Sequence, residues 1–462
     1  MENIVQTFDL VVIGAGPAGL SAAIEARRLG LTVAVLDEQQ RVGGQIYRAI
    51  QDSTQRRRQV LGPDYAAGAL LAETFATCGA QHVAGAAVWN VDRDKTVSYL
   101  QDGRSKTVRG RSLVLASGAM ERPFPVPGWT LPGVMGAGAA QILYKTSGAV
   151  PGEPVVLAGC GPLLLLLAQQ YLEAGVRIKA LIHTTATADY LRAAPHLPGA
   201  LRGWKDLAKG AAMLRKIRAH GVETYAGASA FSIEGQDRAQ AISFTHGGRQ
   251  KRIETSLVLL HQGVVPNTQL SWSLRAEHRW DEQQLCWVPV TDTAGQIEDT
   301  SIYIAGDSRG IVGAKASAAQ GRLAALDIAR RLDKVAPGAL DATREDMARE
   351  LNKSTQIRPF LDSLYRPLDA HRIPVDDQVT VCRCEEVTAG QIKRYVEVGC
   401  IGPNQTKAFG RCGMGPCQGR LCGLTVTEII ASERRLSPAE VGYYRIRPPL
   451  KPITLSELAG SE

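Results

Sequence analysis

Cysteine is scarce over most of this chain: of nine, only Cys78, Cys160 and Cys286 lie outside the stretch 382–422. A scattered disulfide framework is thereby excluded, and the clustered remainder suits a metal site in a reducing compartment. Long hydrophobic runs are missing too. The longest, Leu163 to Ala168, is far too short to cross a bilayer. Met1 to Thr7 has no basic, leader-like start. A cytoplasmic location is expected, with at most peripheral contact with the inner membrane. Neither a nucleophile–base pair nor a metal-binding histidine pair is visible among the eight His, so substrate chemistry has no evident home. The net charge of +8 would suit an acidic partner, an anionic ligand or surface, or only a solvated exterior. The cations are spread out, with Arg56-Arg57-Arg58 the one run of three. Nucleic acid is not an expected partner.

Glycine, by contrast, is plentiful, with 47 residues. The most informative are in Gly14-Ala-Gly16-Pro17-Ala18-Gly19, which follows the buried-strand pattern Phe8 to Ile13 and opens a helix predicted over 17–29. Gly14 makes the turn, Gly16 lets backbone approach a pyrophosphate, and Gly19 lets helix pack on strand. The next strand, Leu31 to Leu36, ends in Asp37, placed to take the ribose hydroxyls of a dinucleotide. Helix-end amides would hold the diphosphate.

Landmarks then recur at a nearly constant offset. Gly14-x-Gly16-Pro17 returns as Gly159-x-Gly161-Pro162, 145 positions on; Ala84-Gly85-Ala86 returns as Ala226-Gly227-Ala228; Ser112-Leu-Val-Leu115 returns as Ser256-Leu-Val-Leu259. The chain therefore reads as a duplicated α/β dinucleotide-binding fold. The second copy is degraded: Leu164 replaces the third glycine, and Ile182-His183 stands where Asp37 should repeat. It is either scaffold or a seat for another adenine nucleotide, and a poor NAD(P)H site.

Three further segments resemble the two-dinucleotide-domain flavoproteins that include thioredoxin and glutathione reductases. They are Gly43-Gly44-Gln45, the crossover Ala116-Ser117-Gly118-Ala119, and Thr300-Ser-Ile-Tyr-Ile-Ala-Gly306-Asp307. The resemblance implies FAD, held by Gly14, Gly16, Pro17, Ala18, Gly19, Asp37, Glu38, Gly44, Gln45, Gly118, Gly306 and Asp307. A helix is expected from 313 to 331. The chain departs from the disulfide reductases in its thiols, since Gly44 is followed by Gln-Ile-Tyr-Arg-Ala and no redox Cys pair appears.

Near the C-terminus, Cys382-Arg-Cys384 and Gly413-Met-Gly-Pro-Cys417-Gln-Gly-Arg-Leu-Cys422 resemble the bacterioferritin-associated-ferredoxin-like [2Fe–2S] domain. That likeness implies Cys382, Cys384, Cys417 and Cys422 as ligands, with Cys412 in reserve and Cys400 packing. A four-Cys zinc site is the alternative that spacing leaves open. Thiolates suit either metal. Arg383, Arg411 and Arg420 would offset cluster charge.

The expected order is an FAD domain at 1–125 and 265–332, with a second dinucleotide-like domain (126–264) inserted. A connector (333–374), the small α-helical cluster domain (375–432) and an extended arm (433–462) follow. Over nearly its whole length the chain resembles the A-type subunits of bacterial heteromeric amine dehydrogenases: opine oxidases, D-hydroxyproline dehydrogenases and hydrogen cyanide synthase. This implies part of an oxidoreductase that acts on CH–NH donors and passes electrons to a quinone or other acceptor. The amine would be oxidised in a D-amino-acid-oxidase-like FAD partner, a further small subunit being optional. The rival readings are a free-standing NAD(P)H-dependent reductase and a zinc-clipped scaffold.

Overall fold

Residues 5–298, 300–336 and 338–460 are described by the structure, a computed structural model. The first residues of the N-terminal stretch read above, Pro337 of the connector and the last two of the arm lie outside them.

Phe8 to Ile13 is buried on both faces, as a central parallel strand must be. It forms β1 (Thr7–Ile13), followed by α1 (Pro17–Arg28) and β2 (Val33–Asp37). The strand Gln81–Ala84 pairs beyond β2, and Arg104–Leu115 lies on the other side of β1. That last strand does two jobs. Its first half pairs antiparallel with the meander strand Thr96–Gln101, and its second half joins the parallel sheet. Ile302–Ile304 closes the far edge against Leu113–Leu115.

The duplication is visible in strand order. In the second sheet Glu223–Ala226, Ile178–His183, Val155–Cys160, Val258–Gln262 and Val134–Gly136 lie side by side, all parallel. This repeats the order of Gln81–Ala84, β2, β1, Arg104–Leu115 and Ile302–Ile304. Gly85 and Gly227 repeat the same left-handed turn, with φ of +69° and +67°. The chain passes between the two folds through the antiparallel pair Ala119–Glu121 and Val264–Pro266. The helix Ala137–Ser147, which we label α2, then opens the second fold.

Back in the first fold, α3 (Ala314–Arg331) packs directly on α1. Contact is close enough that a Cβ on Gly321 would lie 2.0 Å from the Ala18 carbonyl oxygen. The connector contains helices Asp341–Thr355 and Arg358–Leu364. The module after it has a short strand pair, Thr380–Cys382 with Val387–Thr388, and helices Ala389–Glu397, Pro403–Gly410 and Gly423–Arg434. Its apolar side chains, including Val381, Ile392, Val426 and Ile429, share one core with Phe8, Val11 and Leu113 of the first fold. Trp129 Nε1 donates to the Thr380 carbonyl at 2.7 Å, and the Arg383 guanidinium lies 5.3 Å from the Trp129 ring centre.

The arm is not wholly extended, contrary to the reading of its prolines. One-turn helices Pro438–Val441 and Leu455–Ala459 interrupt it, each opened by a capping box, Ser437 with Glu440 and Thr454 with Glu457. That S/T-x-x-E pattern was present in the sequence, and it acts on either side of the Pro448-Pro449 stretch, which stays non-helical. The arm is tied to the first fold where Leu450 N–H donates to the Trp89 carbonyl at 2.8 Å.

One buried cation joins the two folds. Lys145 of α2 is 4% exposed and donates to the Gln45 carbonyl at 3.0 Å. Burial, with Arg48 nearby, lowers its pKa to about 7. The folded value is thus below the unfolded one. Between about pH 7 and 10 the unfolded chain binds a proton the folded chain lacks, so stability rises with pH there. Below pH 7 the burial penalty is fully present. Lys145→Met should therefore improve most on the wild type in denaturant melts at pH 6, with the gap shrinking by pH 10. A pH-independent difference would show that this ammonium carries no such penalty.

Candidate functional site: a glycine cradle and a thiol cluster

The first glycine loop is shaped by contacts that admit no side chain. Gly14 has φ of +105°, and a Cβ there would sit 2.4 Å from the Ala116 carbonyl oxygen. A Cβ on Gly19 would meet the Gly14 carbonyl oxygen at 1.8 Å. Gly16 differs. Its φ is −81°, and an added Cβ would find only Gly44 Cα, at 3.7 Å. Gly14 and Gly19 therefore serve packing, while Gly16 leaves open space beside the α1 N-terminus, where Pro17 occupies the first turn.

Asp37, at the end of β2, accepts from Ala15 N–H at 2.5 Å and Gln39 N–H at 2.7 Å. Its carboxylate thus lies against the glycine loop. Glu38 beside it is ion-paired with Lys451 of the arm. Gly44 packs on Gly16, and the Gln45 side chain accepts from Arg48 at 2.9 Å. Gly118 lies at the crossover, its carbonyl accepting from Asn267 N–H at 2.9 Å. Gly306 N–H donates to Gln320 at 2.8 Å, and a Cβ on Gly306 would be 2.9 Å from Ala18 Cβ. Asp307 accepts from Val312 and Gly313 N–H at 2.8 and 2.9 Å, fixing the entry to α3. The glycine loop, the end of β2, the Gly44 turn, the 116–118 segment and the Gly306 turn thus lie against one another.

The second loop is built differently. Gly161 has φ of +106°, and a side chain there would touch the His261 imidazole at 3.5 Å. His261 is buried, and its Nδ1 lies 2.6 Å from Glu121, whose carboxylate also accepts from Gly138 N–H at the α2 N-terminus. Leu164 is buried in the core of this fold. Sequence reading missed the Glu121–His261 pair and Lys145. A lone His in the apolar strand 258–262 was the available signal, but pairing with a residue 140 positions away is a tertiary fact.

Six thiols in sequence become five in space. The Sγ atoms of Cys382, Cys412 and Cys422 all lie within 4.8 Å of one another. Cys417 contacts both Cys422 and Cys384, which extends the group to the exposed Cys384. Cys400 is apart, buried and donating to the Gly402 carbonyl at 3.3 Å. Hydrogen bonds from Cys412 and Cys422 push the Cys382 thiol well below its ordinary pKa, and contact with Cys382 pushes Cys422 up. Cys412 is the surprise, because it belongs to the tight trio. Tyr444 reinforces it, with its hydroxyl 3.4 Å from Cys412 Sγ and 3.9 Å from Cys422 Sγ. The turn 382–384 and the loop 412–422 converge because the helix Gly423–Arg434 begins at Cys422 and the strand pair ends at Cys382. Cys160 and Cys286 are buried singly and Cys78 is half-buried.

A duplicated dinucleotide fold with a glycine cradle in its first copy defines a flavin-type oxidoreductase scaffold. The pyridine nucleotide-disulphide oxidoreductase family profile matches residues 8–322, and a sarcosine oxidase A3 domain profile matches 378–461. The A-type subunit of an opine oxidase from Rhizobium meliloti is 44% identical, the match covering 99% of this chain and 88% of that protein. Hydrogen cyanide synthase subunit HcnB from Pseudomonas protegens is 30% identical, over 99% of this chain and 98% of that one. In structure, an L-proline dehydrogenase from P. horikoshii matches with TM-score 0.74 at 18% identity, covering 99% of this chain and 81% of that one. The chain belongs to the pyridine nucleotide-disulphide oxidoreductase family and, within it, to the family of the opine oxidase A-type subunits and HcnB. It is an oxidoreductase, and membership implies FAD. The residues fit that cofactor: Gly16 leaves room that a Cβ would fill beside the α1 N-terminus, and the Asp37 carboxylate lies against the same loop. The thiols fit a soft metal centre, with three sulfurs within 4.8 Å of one another and Cys417 adjoining them through Cys422. Among the described residues, no helix is long and apolar enough to cross a membrane.

Proposed function

We propose that this chain is the electron-relay subunit of a heteromeric amine dehydrogenase of the opine oxidase type. The convergence of five cysteines beside a flavin-type fold that lacks a catalytic thiol pair carries the reading. FAD accepts electrons singly or in pairs and a [2Fe–2S] cluster one at a time, so together they would convert two-electron input to one-electron output. The first fold holds FAD through the residues described above, and the thiols hold the cluster. The CH–NH donor is oxidised in a D-amino-acid-oxidase-like partner, with a quinone or similar acceptor downstream at the cytoplasmic face of the inner membrane. The same role in D-hydroxyproline oxidation or cyanide synthesis uses the same parts. The second fold is scaffold, or takes an adenine nucleotide without NAD(P)H reactivity.

The test is anaerobic titration of the isolated chain and of the purified complex. Opines should bleach the flavin of the complex and leave the isolated chain oxidised. NADH and NADPH should bleach neither rapidly. Fast bleaching of the isolated chain by either nucleotide would favour the free-standing reductase. Zinc in place of iron would leave a scaffold protein.

A further inference from the structure

The surface beside the thiol cluster has an uneven charge balance. Residues 401–422 and 441–456, which wrap the thiols, contain no Asp or Glu but carry Lys407, Arg411, Arg420, Arg445, Arg447 and Lys451. Three of these have partners: Arg411 pairs with Glu385, Lys451 with Glu38, and Arg420 donates to the Leu450 carbonyl. The other three do not pair with a carboxylate among the described residues. Lys407, Arg445 and Arg447 line one open basin of about 540 Å³, together with Asn404, Ala408 and Met414.

The arm is locked in a geometry that presents these charges. Asn404 accepts from Arg445 N–H at 2.8 Å, and its amide donates to the Tyr443 carbonyl at 3.4 Å. Tyr444 and Ile446 point inward and are buried, so the alternation of an extended segment leaves Arg445 and Arg447 exposed on the other face. Arg275 of the first fold adjoins them. Partial burial and then the charges of Arg445 and Arg447 lower its pKa. Like charges gathered without counter-charge repel, a cost that a partner's carboxylates would relieve. Apolar side chains sit among them: Ala408 lines the basin, and Met414 is 44% exposed. The basin is also close to the thiols. Lys407 Nζ lies 5.0 Å from the Tyr444 ring centre, and the Tyr444 hydroxyl reaches Cys412.

We infer that this basin is the docking face for the acidic surface of a redox protein that exchanges electrons with the thiol-bound centre. A small apolar patch within a ring of one charge suits a transient redox encounter, where charge sets orientation and on-rate. The redox part of the inference rests on the relay reading; the charge complementarity does not.

The test uses the full, metal-loaded chain, reduced beforehand with dithionite and freed of excess reductant for the kinetic arm, with two haem proteins of opposite charge, the acidic soluble domain of cytochrome b5 and basic cytochrome c. Calorimetry and stopped-flow reduction are run from about 10 to 300 mM salt, a range over which screening grows strongly. Cytochrome b5 should bind at low salt and be released at high salt, with reduction slowing in parallel, while cytochrome c should not bind. The double variant Arg445→Glu/Arg447→Glu should weaken cytochrome b5 binding at least tenfold at unchanged iron, flavin and melting temperature. Arg445→Lys/Arg447→Lys should retain it. Equal binding of both haem proteins, or no response to charge reversal in a folded variant, overturns the inference. Charge-dependent binding without haem reduction supports the acidic docking face and removes the relay reading instead.

Discussion

Cys422→Ser should yield a chain that keeps its flavin and loses its iron. Cys422 is 1% exposed, and its sulfur contacts those of Cys382, Cys412 and Cys417, more of the group than any other thiol reaches. Cys422 belongs both to the family-like ligand set and to the tight trio. Serine offers a harder, poorly acidic oxygen in the same space. On the relay reading, iron and acid-labile sulfide should fall from about two per chain, the content of a [2Fe–2S] centre, to near zero. Cys400→Ser is the control and should keep both, because that sulfur is engaged with its own turn. The pair Cys384→Ser and Cys412→Ser then separates the family-like ligand set from the tight trio. Retained iron in the first and loss in the second would assign Cys412 as a ligand and Cys384 as a spectator. Iron that survives Cys422→Ser would remove Cys422 from the ligand set and leave Cys382, Cys384, Cys412 and Cys417 to hold the metal.

Gly16→Ala is the second large effect, and it is one of binding, not folding. The backbone there suits alanine, and the new methyl meets only Gly44 Cα at van der Waals distance. What it fills is the approach to the α1 N-terminal amides, where a pyrophosphate must come within hydrogen-bond reach. FAD affinity should drop about a hundredfold or more, roughly 2.7 kcal/mol, at nearly unchanged melting temperature of the apoprotein. Gly19→Ala should behave in the opposite way. Its methyl would press into the Gly14 carbonyl, so stability falls first. Flavin content after desalting and thermal melts of the apo forms distinguish the two. Equal flavin content in Gly16→Ala and wild type would exclude this cleft as the FAD seat.

Much of this was legible in the chain because the signals were local. A glycine turn, an acid at a strand end and a helix-capping pattern are short-range devices, and a duplication repeats them at a fixed offset. The helices 17–28 and 314–331 fell within a residue of their expected ends, since Pro17 and Gly30 bound the first and Gly313 opens the second. The roles of Gly14 and Gly16 were less separable. Only the neighbours across the fold, Ala116 and Gly44, distinguish a packing glycine from one that leaves room for ligand. The capping boxes of the arm are equally local signals, and both open a helical turn.

The linear order of residues determined the repeated α/β scaffold and the supply of thiols, because periodicity and composition act through neighbours a few positions apart. Tertiary packing decided which sulfurs gather, drawing Cys412 in beside Tyr444 and leaving Cys400 out. It also buried Lys145 against the Gln45 turn and paired His261 with Glu121. Those outcomes depend on which distant surfaces bury apolar area together, as when Val381 and Val426 join Val11 in one core, and no short-range pattern encodes that choice.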